Sequence, residues 1–177
     1  MVVKRSTLLI IYFIILVSTL LYAFNAFAAT LYLGGGQSIL NSLNDAKGKA
    51  YQVDQTNHLG TTIGGYRYGS DIGYLNLGHA SIGHGLYLKT DGLFALYRVS
   101  DRVGNVSTFA AVGPYLFAVT VPLGGGAYQD RYGAALMTSL GIQYRYRAWA
   151  MRASWERVTT WKNFDEDVVL LSVGRSL

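Results

Sequence analysis

From Tyr132 to Tyr146 the chain alternates without a break between two kinds of residue. Tyr132, Ala134, Leu136, Thr138, Leu140, Ile142, Tyr144 and Tyr146 form one set, and Gly133, Ala135, Met137, Ser139, Gly141, Gln143 and Arg145 form the other. A period of two sends such sets to opposite faces of a β-strand, whereas a helix would mix them. The next segment repeats the pattern, with Trp149, Met151, Ala153 and Trp155 against Arg152, Ser154 and Glu156. Each strand therefore carries one large apolar face and one small, polar or charged face.

Composition says which face meets what. The chain of 177 residues is 51% hydrophobic and only 14% charged, with fourteen tyrosines and twenty-one glycines. Beyond residue 28 no apolar run approaches the roughly eighteen residues that a helical membrane span requires. Backbone groups in lipid must be hydrogen-bonded within the protein, so a membrane chain without helical spans has to close a sheet into a barrel. The apolar faces then meet lipid and the small or polar faces fill the lumen. On this reading Leu136, Leu140, Ile142, Trp149, Met151 and Trp155 face lipid.

The first 28 residues differ from the rest. Lys4 and Arg5 precede an apolar run from Thr7 to Phe24, and Ala26-Phe27-Ala28 has the small residues of a signal-peptide cleavage site. Residues 1–28 are expected to be a cleaved signal peptide, and residues 29–177 one barrel domain. The alternative is an uncleaved helical anchor. Losing Lys4 and Arg5 lowers the formal charge of +5 by two units, too little and too scattered to indicate nucleic acid. The absence of cysteine excludes disulfides and the acceptor of a lipoprotein anchor.

Eight strands are expected, at about 30–39, 56–68, 72–82, 86–98, 107–121, 131–146, 148–159 and 167–176. Gly69-Ser70-Asp71 and Arg147 mark tight turns, and 40–55, 122–130 and 160–166 mark longer connections. With both termini periplasmic, the longer connections lie outside; 83–85, shorter than 100–105, departs from this pattern. The fifth strand puts Phe109, Tyr115, Phe117, Val119 and Val121 on one face. Gly113-Pro114 predicts an irregularity there, because proline cannot donate to the ladder. Tyr66, Tyr68, Tyr74, Tyr97, Phe109, Tyr144, Tyr146 and Trp149 flank the expected periplasmic turns, as an interfacial girdle would.

Three stretches resemble the OmpA-type small outer-membrane barrels. Residues 72–81, IGYLNLGHAS, are similar to that family's GYxDLGxAS segment. GIQYRY at 141–146, followed by MRASWER at 151–157, resembles its GxxYRF and lRaeWEr hairpin, and DVVLLSVG at 167–174 its closing DVDLLSVG. The resemblance covers nearly all of residues 29–177. It implies an eight-stranded antiparallel up-and-down barrel in the cell outer membrane, with no enzymatic activity, surrounded by lipid and lipopolysaccharide and inserted by the barrel-assembly machinery. The chain departs from the family in ending on Leu177 rather than an aromatic, and no residues remain for a peptidoglycan-binding domain.

Candidate chemistry is sparse. His79 and Ser81 share a face at the spacing that lipid A deacylases use, with His84 and Asp91 nearby, but Ile82 stands where those enzymes carry Asn. A nucleophile also needs an oriented base, and no catalytic residue is assigned. His58, His79 and His84 lack metal-ligand spacing, and Asp165-Glu166-Asp167 suits a solvated loop, so no metal or cofactor is expected. The glycine triplets at 34–36 and 124–126 lack a strand–loop–helix context for phosphate. They suit a close-packed strand and a flexible loop. Lys89, Asp91, Arg145, Arg152 and Glu156 are expected to face inward. Buried charges require partners, and an eight-stranded barrel is just wide enough for side chains to fill, so these five form a plugging ion-pair network. The resulting function is a structural or interaction protein with exposed loops and an extracellular partner that the sequence does not specify. A narrow pore for ions or small solutes is one alternative, and a lipid A-modifying enzyme is another.

Overall fold

The computed structural model describes residues 29–40, 46–83, 86–124, 127–159 and 165–177. The expected signal peptide lies outside the described residues, as do His84 and the side chain of Ser81.

Eight antiparallel strands form one closed sheet. They are β1 (Ala29–Leu40), β2 (Ala46–Ile63), β3 (Tyr66–Gly83), β4 (Leu86–Val103), β5 (Val106–Gly124), β6 (Ala127–Tyr146), β7 (Trp149–Thr159) and β8 (Asp165–Ser176). Each pairs with its neighbours in sequence, and β1 pairs with β8 from Thr30↔Ser176 to Leu40↔Glu166. Closure leaves no strand edge unpaired around the ring. Both termini lie at one end, where the Leu177 amide donates to the Ala29 carbonyl at 2.9 Å. The turns at 64–65, 104–105 and 147–148 share that end. The connections 41–45, 84–85, 125–126 and 160–164 join strands at the other.

Several expected boundaries move. Gly69-Ser70-Asp71 is not a turn but the interior of β3; the hairpin reverses at Gly64 and Gly65, with φ of 62° and 87°. Two successive positive φ values suit glycine, which has no Cβ to clash. The strand β2 consequently starts ten residues before its expected position, taking in most of the supposed 40–55 connection. Arg147 turns as expected, in the left-handed region at φ 54°. In β5 the ladder to β4 is interrupted between Phe94↔Tyr115 and Tyr97↔Val112, across Gly113-Pro114. The missing proline N–H accounts for the gap.

In β6 and β7 exposure alternates as the sequence predicts. Leu136, Leu140, Ile142, Trp149, Met151 and Trp155 point out of the barrel, while Met137, Ser139, Gln143, Arg152 and Glu156 are buried inside. In β5 the sense is opposite to that of an apolar outer face: Phe109 and Tyr115 are buried in the lumen and Val112 and Leu116 point out. Phe109 therefore leaves the girdle. Tyr74 also leaves it, because the shifted turn carries it towards the far end, opposite Leu93 and Val53. Tyr66, Tyr97, Tyr144, Tyr146 and Trp149 do ring the termini end from outside.

Gly141 is packed from within: a Cβ there would stand 2.4 Å from the Ala153 carbonyl oxygen and 2.6 Å from the Phe109 ring. Gly141→Phe should therefore lower stability by about 1–3 kcal/mol or more through overpacking. Leu140→Phe, one residue away but outward, should change it by less than about 1 kcal/mol. Urea-unfolding midpoints of the refolded variants in micelles check the contrast. A fold that buries Leu140 in a packed core would reverse it.

Candidate functional site: the lumen and its two ends

The inward residues divide the lumen into two halves. Towards the end opposite the termini, Leu75, Leu77, Phe94, Tyr115, Met137, Val158, Val168 and Leu170 pack into one buried apolar cluster. The Tyr115 hydroxyl satisfies itself by donating to the Leu75 carbonyl across the barrel at 3.1 Å. Such a layer fills this half with side chains that give water few partners and so plugs it, with Ser38, Thr90 and Glu166 buried among them. The lumen expected to be small or polar is largely apolar in this half.

The half nearer the termini is polar. Arg152 on β7 reaches across to Asp54 on β2 with two hydrogen bonds, at 2.8 and 2.5 Å, and lies over the Tyr32 ring at 4.3 Å. Arg98 on β4 pairs with Asp71 at 3.0 Å, donates to the Gln143 side-chain oxygen at 3.0 Å, and lies 3.7 Å from the Phe109 ring centre. Thr56 donates to the other Asp71 oxygen at 2.6 Å. Two-pronged pairing lets guanidinium and carboxylate replace most of the water each gives up. The aromatic faces cover the flat sides of both guanidinium groups.

The expected five-residue network is thus only partly placed in the lumen. Arg152 and Glu156 are inside, but they are not each other's partner. Glu156 is held by Ser139 and Ser154 at 3.5 and 3.4 Å. Gln52 donates to it at 3.1 Å in the amide orientation that gives both ends of Gln52 a partner. Arg145 is at the termini-side mouth, where it donates to Thr30 at 3.3 Å and meets the His58 ring nitrogen at 3.2 Å. Lys89 and Asp91 are corrected outright. They pair with each other at 3.5 Å, but their side chains are 41% and 28% exposed, and they stand on the outward face of β4. The alternation Leu88, Thr90, Phe94, Leu96, Arg98 is the buried one.

Asp54 and Asp71 were missed because the β2–β3 boundary was misplaced, and Arg98 because the inward face of β4 was given to Lys89 and Asp91. With a turn at 69–71, Asp54 fell in a loop and Asp71 in a turn. A Gly-Gly pair between two alternating segments is a hairpin signal. Setting the turn at Gly64-Gly65 puts both aspartates inward.

Among the described residues the remaining candidates stand apart from one another. His79 is on the outward face of β3, in the row of Lys89. Asp165 pairs with Arg157 at 3.0 Å, and neighbouring Glu166 turns inward, so the acidic triplet is split between faces. Among the described residues no group of three potential ligands could hold a metal. At Gly36 a Cβ would stand within bonding distance of the Val169 carbonyl oxygen, which shows how tightly β1 packs on β8.

No family model matches the chain, and no curated protein sequence matches it. Solved structures do. Ail, the attachment invasion locus protein of Yersinia pestis, superposes with a TM-score of 0.63 at 12% identity, over 85% of this chain and 99% of that one. Neisserial surface protein A superposes with a TM-score of 0.63 at 16% identity, over 84% and 97%. The chain has the fold of the small eight-stranded outer-membrane barrels. The N-terminal barrel domain of Pseudomonas aeruginosa OprF also matches, with a TM-score of 0.55 at 10% identity. At these identities the likeness is one of fold, in keeping with the resemblance to OmpA-type barrels. The Yersinia pestis protein has also been solved with the heparin analogue sucrose octasulfate.

The buried pairs dominate the polar half. Asp54→Ala strands Arg152 in the lumen and should cost about 3–5 kcal/mol. Asp165→Ala breaks an ion pair whose side chains are 31% and 40% exposed, and should cost under about 1 kcal/mol. Denaturant unfolding of the two variants in the same micelles checks the difference; equal costs would show that water screens the lumen pairs.

Proposed function

We propose that residues 29–177 form a plugged outer-membrane barrel that serves as a structural or interaction protein, with its termini in the periplasm and its far end at the cell surface. The observation that carries this reading is the outward face. Leu31, Leu33, Val53, Leu93, Val112, Leu116, Leu136, Leu140, Met151, Val169 and Leu171 are all exposed, a band no water-soluble protein would present. Aromatics bound the band on both sides: Tyr66, Tyr97, Tyr144, Tyr146 and Trp149 towards the termini, and Tyr51, Tyr74, Tyr128 and Tyr132 towards the far end. That is the arrangement of two interfacial girdles.

Beyond Tyr51 and Tyr74 the outward face turns basic. Lys49 is opposite Gln37, and His79 is opposite Lys89, so two lysines and a histidine stand on the outer face from β2 to β4, with Asp91 paired to Lys89. Long lysine side chains at this level can lay their stems on lipid and hold their ammonium groups in the headgroup layer. Lipopolysaccharide phosphates are the fitting partners there. The β5–β6 hairpin supports a surface role: Thr120↔Asp130 and Pro122↔Tyr128 pair beyond the point where β7 ends, at Leu136↔Thr159. The apolar plug supports the structural reading over a pore. His79 points outward rather than into the lumen and gives the lipid A enzyme no support. Insertion by the barrel-assembly machinery belongs to the same reading.

The proposal includes export by a signal peptide cleaved after Ala28. Fractionation of cells making the chain should place a species beginning at Ala29 in the outer membrane. An inner-membrane species beginning at Met1 would sink the reading. Leu140→Arg should cost roughly 2–4 kcal/mol and impair insertion, since Leu140 would stand near the bilayer midplane. The yield of protease-resistant protein in liposomes measures this. An unchanged yield would mean that this face does not meet lipid. Planar bilayers holding the refolded protein should stay at baseline conductance, and discrete channel openings would favour the pore.

A further inference from the structure

The termini-side mouth of the lumen carries positive charge that no carboxylate among the described lining residues neutralises. A cavity of about 20 Å³ opens there, lined by His58, Arg67, Arg102, Asn105, Gln143 and Arg145 among others. Three guanidinium groups and no carboxylate contribute to its wall. The carboxylates nearby are committed elsewhere: Asp71 to Arg98, and Asp54 to Arg152. Asp101 is on the opposite side of β4, beside Tyr66, Val99 and Thr108. In the barrel interior a cation normally has a partner.

The charged groups around this cavity are all donors. The Arg145 Nη2 meets the His58 Nε2 at 3.2 Å, and arginine has no lone pair to offer, so His58 accepts and is the neutral ring. The Nε of Arg145 is buried and has no hydrogen-bond partner among the described residues. Gln143 has its side-chain oxygen occupied by Arg98, leaving its amide N–H groups as donors. The backbone holds this arrangement in place: the Arg145 amide donates to the Asn105 carbonyl at 2.8 Å, fixing the 104–105 turn across the mouth. A wall of fixed donors with unspent positive charge, around a space the size of one water or one oxygen atom, is complementary to an acceptor.

We propose that the termini-side mouth binds a phosphate-type oxyanion, one oxygen entering the cavity beside Arg145 and the remainder held outside by Arg67 and Arg102. Arg67 and Arg102 are exposed, so they can adjust to the part of the ligand that stays outside. Arg102 is already anchored by donating from Nε to the Gly104 carbonyl at 2.7 Å, which leaves its two terminal nitrogens for the ligand. The same chemistry could be supplied by free phosphate or by the phosphate of a lipid headgroup at the barrel rim. If the termini are periplasmic, as proposed above, the site faces the periplasm. Binding itself requires only the folded barrel.

The test uses the refolded, isotope-labelled barrel in non-ionic maltoside micelles. Inorganic phosphate is titrated against chloride at matched ionic strength, and the amide signals of Asn105 and Ser107 and the arginine Nε signals are followed. Saturable shifts confined to these residues are expected with phosphate and not with chloride. The double variant Arg67→Gln/Arg102→Gln leaves the buried pairs intact and should weaken binding about tenfold or more. Arg175→Gln removes a cation at the same end that lies outside the lumen over Trp149, and should leave binding unchanged. A parallel arm in phosphate-free buffer, using the same maltoside micelles with and without added phosphatidylglycerol, assigns the source. Shifts on adding that lipid indicate a headgroup, and shifts only on adding free phosphate indicate the soluble ion. Absence of shifts in every arm, or equal weakening by Arg175→Gln, would overturn the proposal. Because the barrel is folded in micelles throughout, that failure would leave the question of its cellular membrane untouched.

Discussion

The pairing of β1 with β8 is the contact on which the rest of the molecule depends. Strands that pair only with their sequence neighbours make a meander with two free edges, and a free edge in lipid strands a row of N–H and C=O groups. The run from Thr30↔Ser176 to Leu40↔Glu166 removes both edges at once. It succeeds because β1 is thin where β8 approaches: Gly34 and Gly36 leave no room for a Cβ against Ser172 and the Val169 backbone. Closure also creates an interior, and with it the problem of what fills a lumen just wide enough for side chains.

Two solutions to that problem coexist here. One half of the lumen is filled as an ordinary core is filled, by leucines, aromatics and Met137. The other half is filled by the Asp54–Arg152 pair, which reaches from β2 to β7, and by the Asp71–Arg98 pair between the neighbouring strands β3 and β4. The first ties together strands that share no ladder, and the second adds a side-chain link to one that exists. Replacing such pairs by apolar residues can leave stability unchanged, so their value lies as much in specifying one arrangement as in free energy. An apolar layer behind a charged one fills the barrel, and its two ends are then free to differ.

The ends do differ. Towards the far end, Lys49 and Lys89 stand outside the barrel beside His79, and the β5–β6 hairpin rises past its neighbours. Towards the termini, cations stand inside, around the mouth between Arg67, Arg102 and Arg145. A mild overall charge thus resolves into two separate basic features with opposite orientation. Each is suited to anionic groups, one to those of a surrounding headgroup layer and the other to a group entering the lumen.

How much of this was legible in the sequence depended on whether the two faces of a strand differ in polarity. In β6 and β7 the outward face is apolar and the inward face is small or polar, so alternation alone assigned Leu140 and Trp155 outward and Arg152 and Glu156 inward. Those strands, the closed all-β architecture, the turn at Arg147 and the break at Pro114 followed from period, composition and proline chemistry. In β4 and β5 the inward face is also apolar, because Phe94, Leu96 and Tyr115 build the plug. Hydrophobicity then no longer tells lumen from exterior, and Lys89, Asp91 and Phe109 were given the wrong side. Which acid meets which base could not follow from any local pattern. Arg152 lies four residues from Glu156 on the same strand, yet its partner is Asp54, 98 residues away in sequence. Ring closure brings β2 across from β7, and only the folded barrel sets that distance.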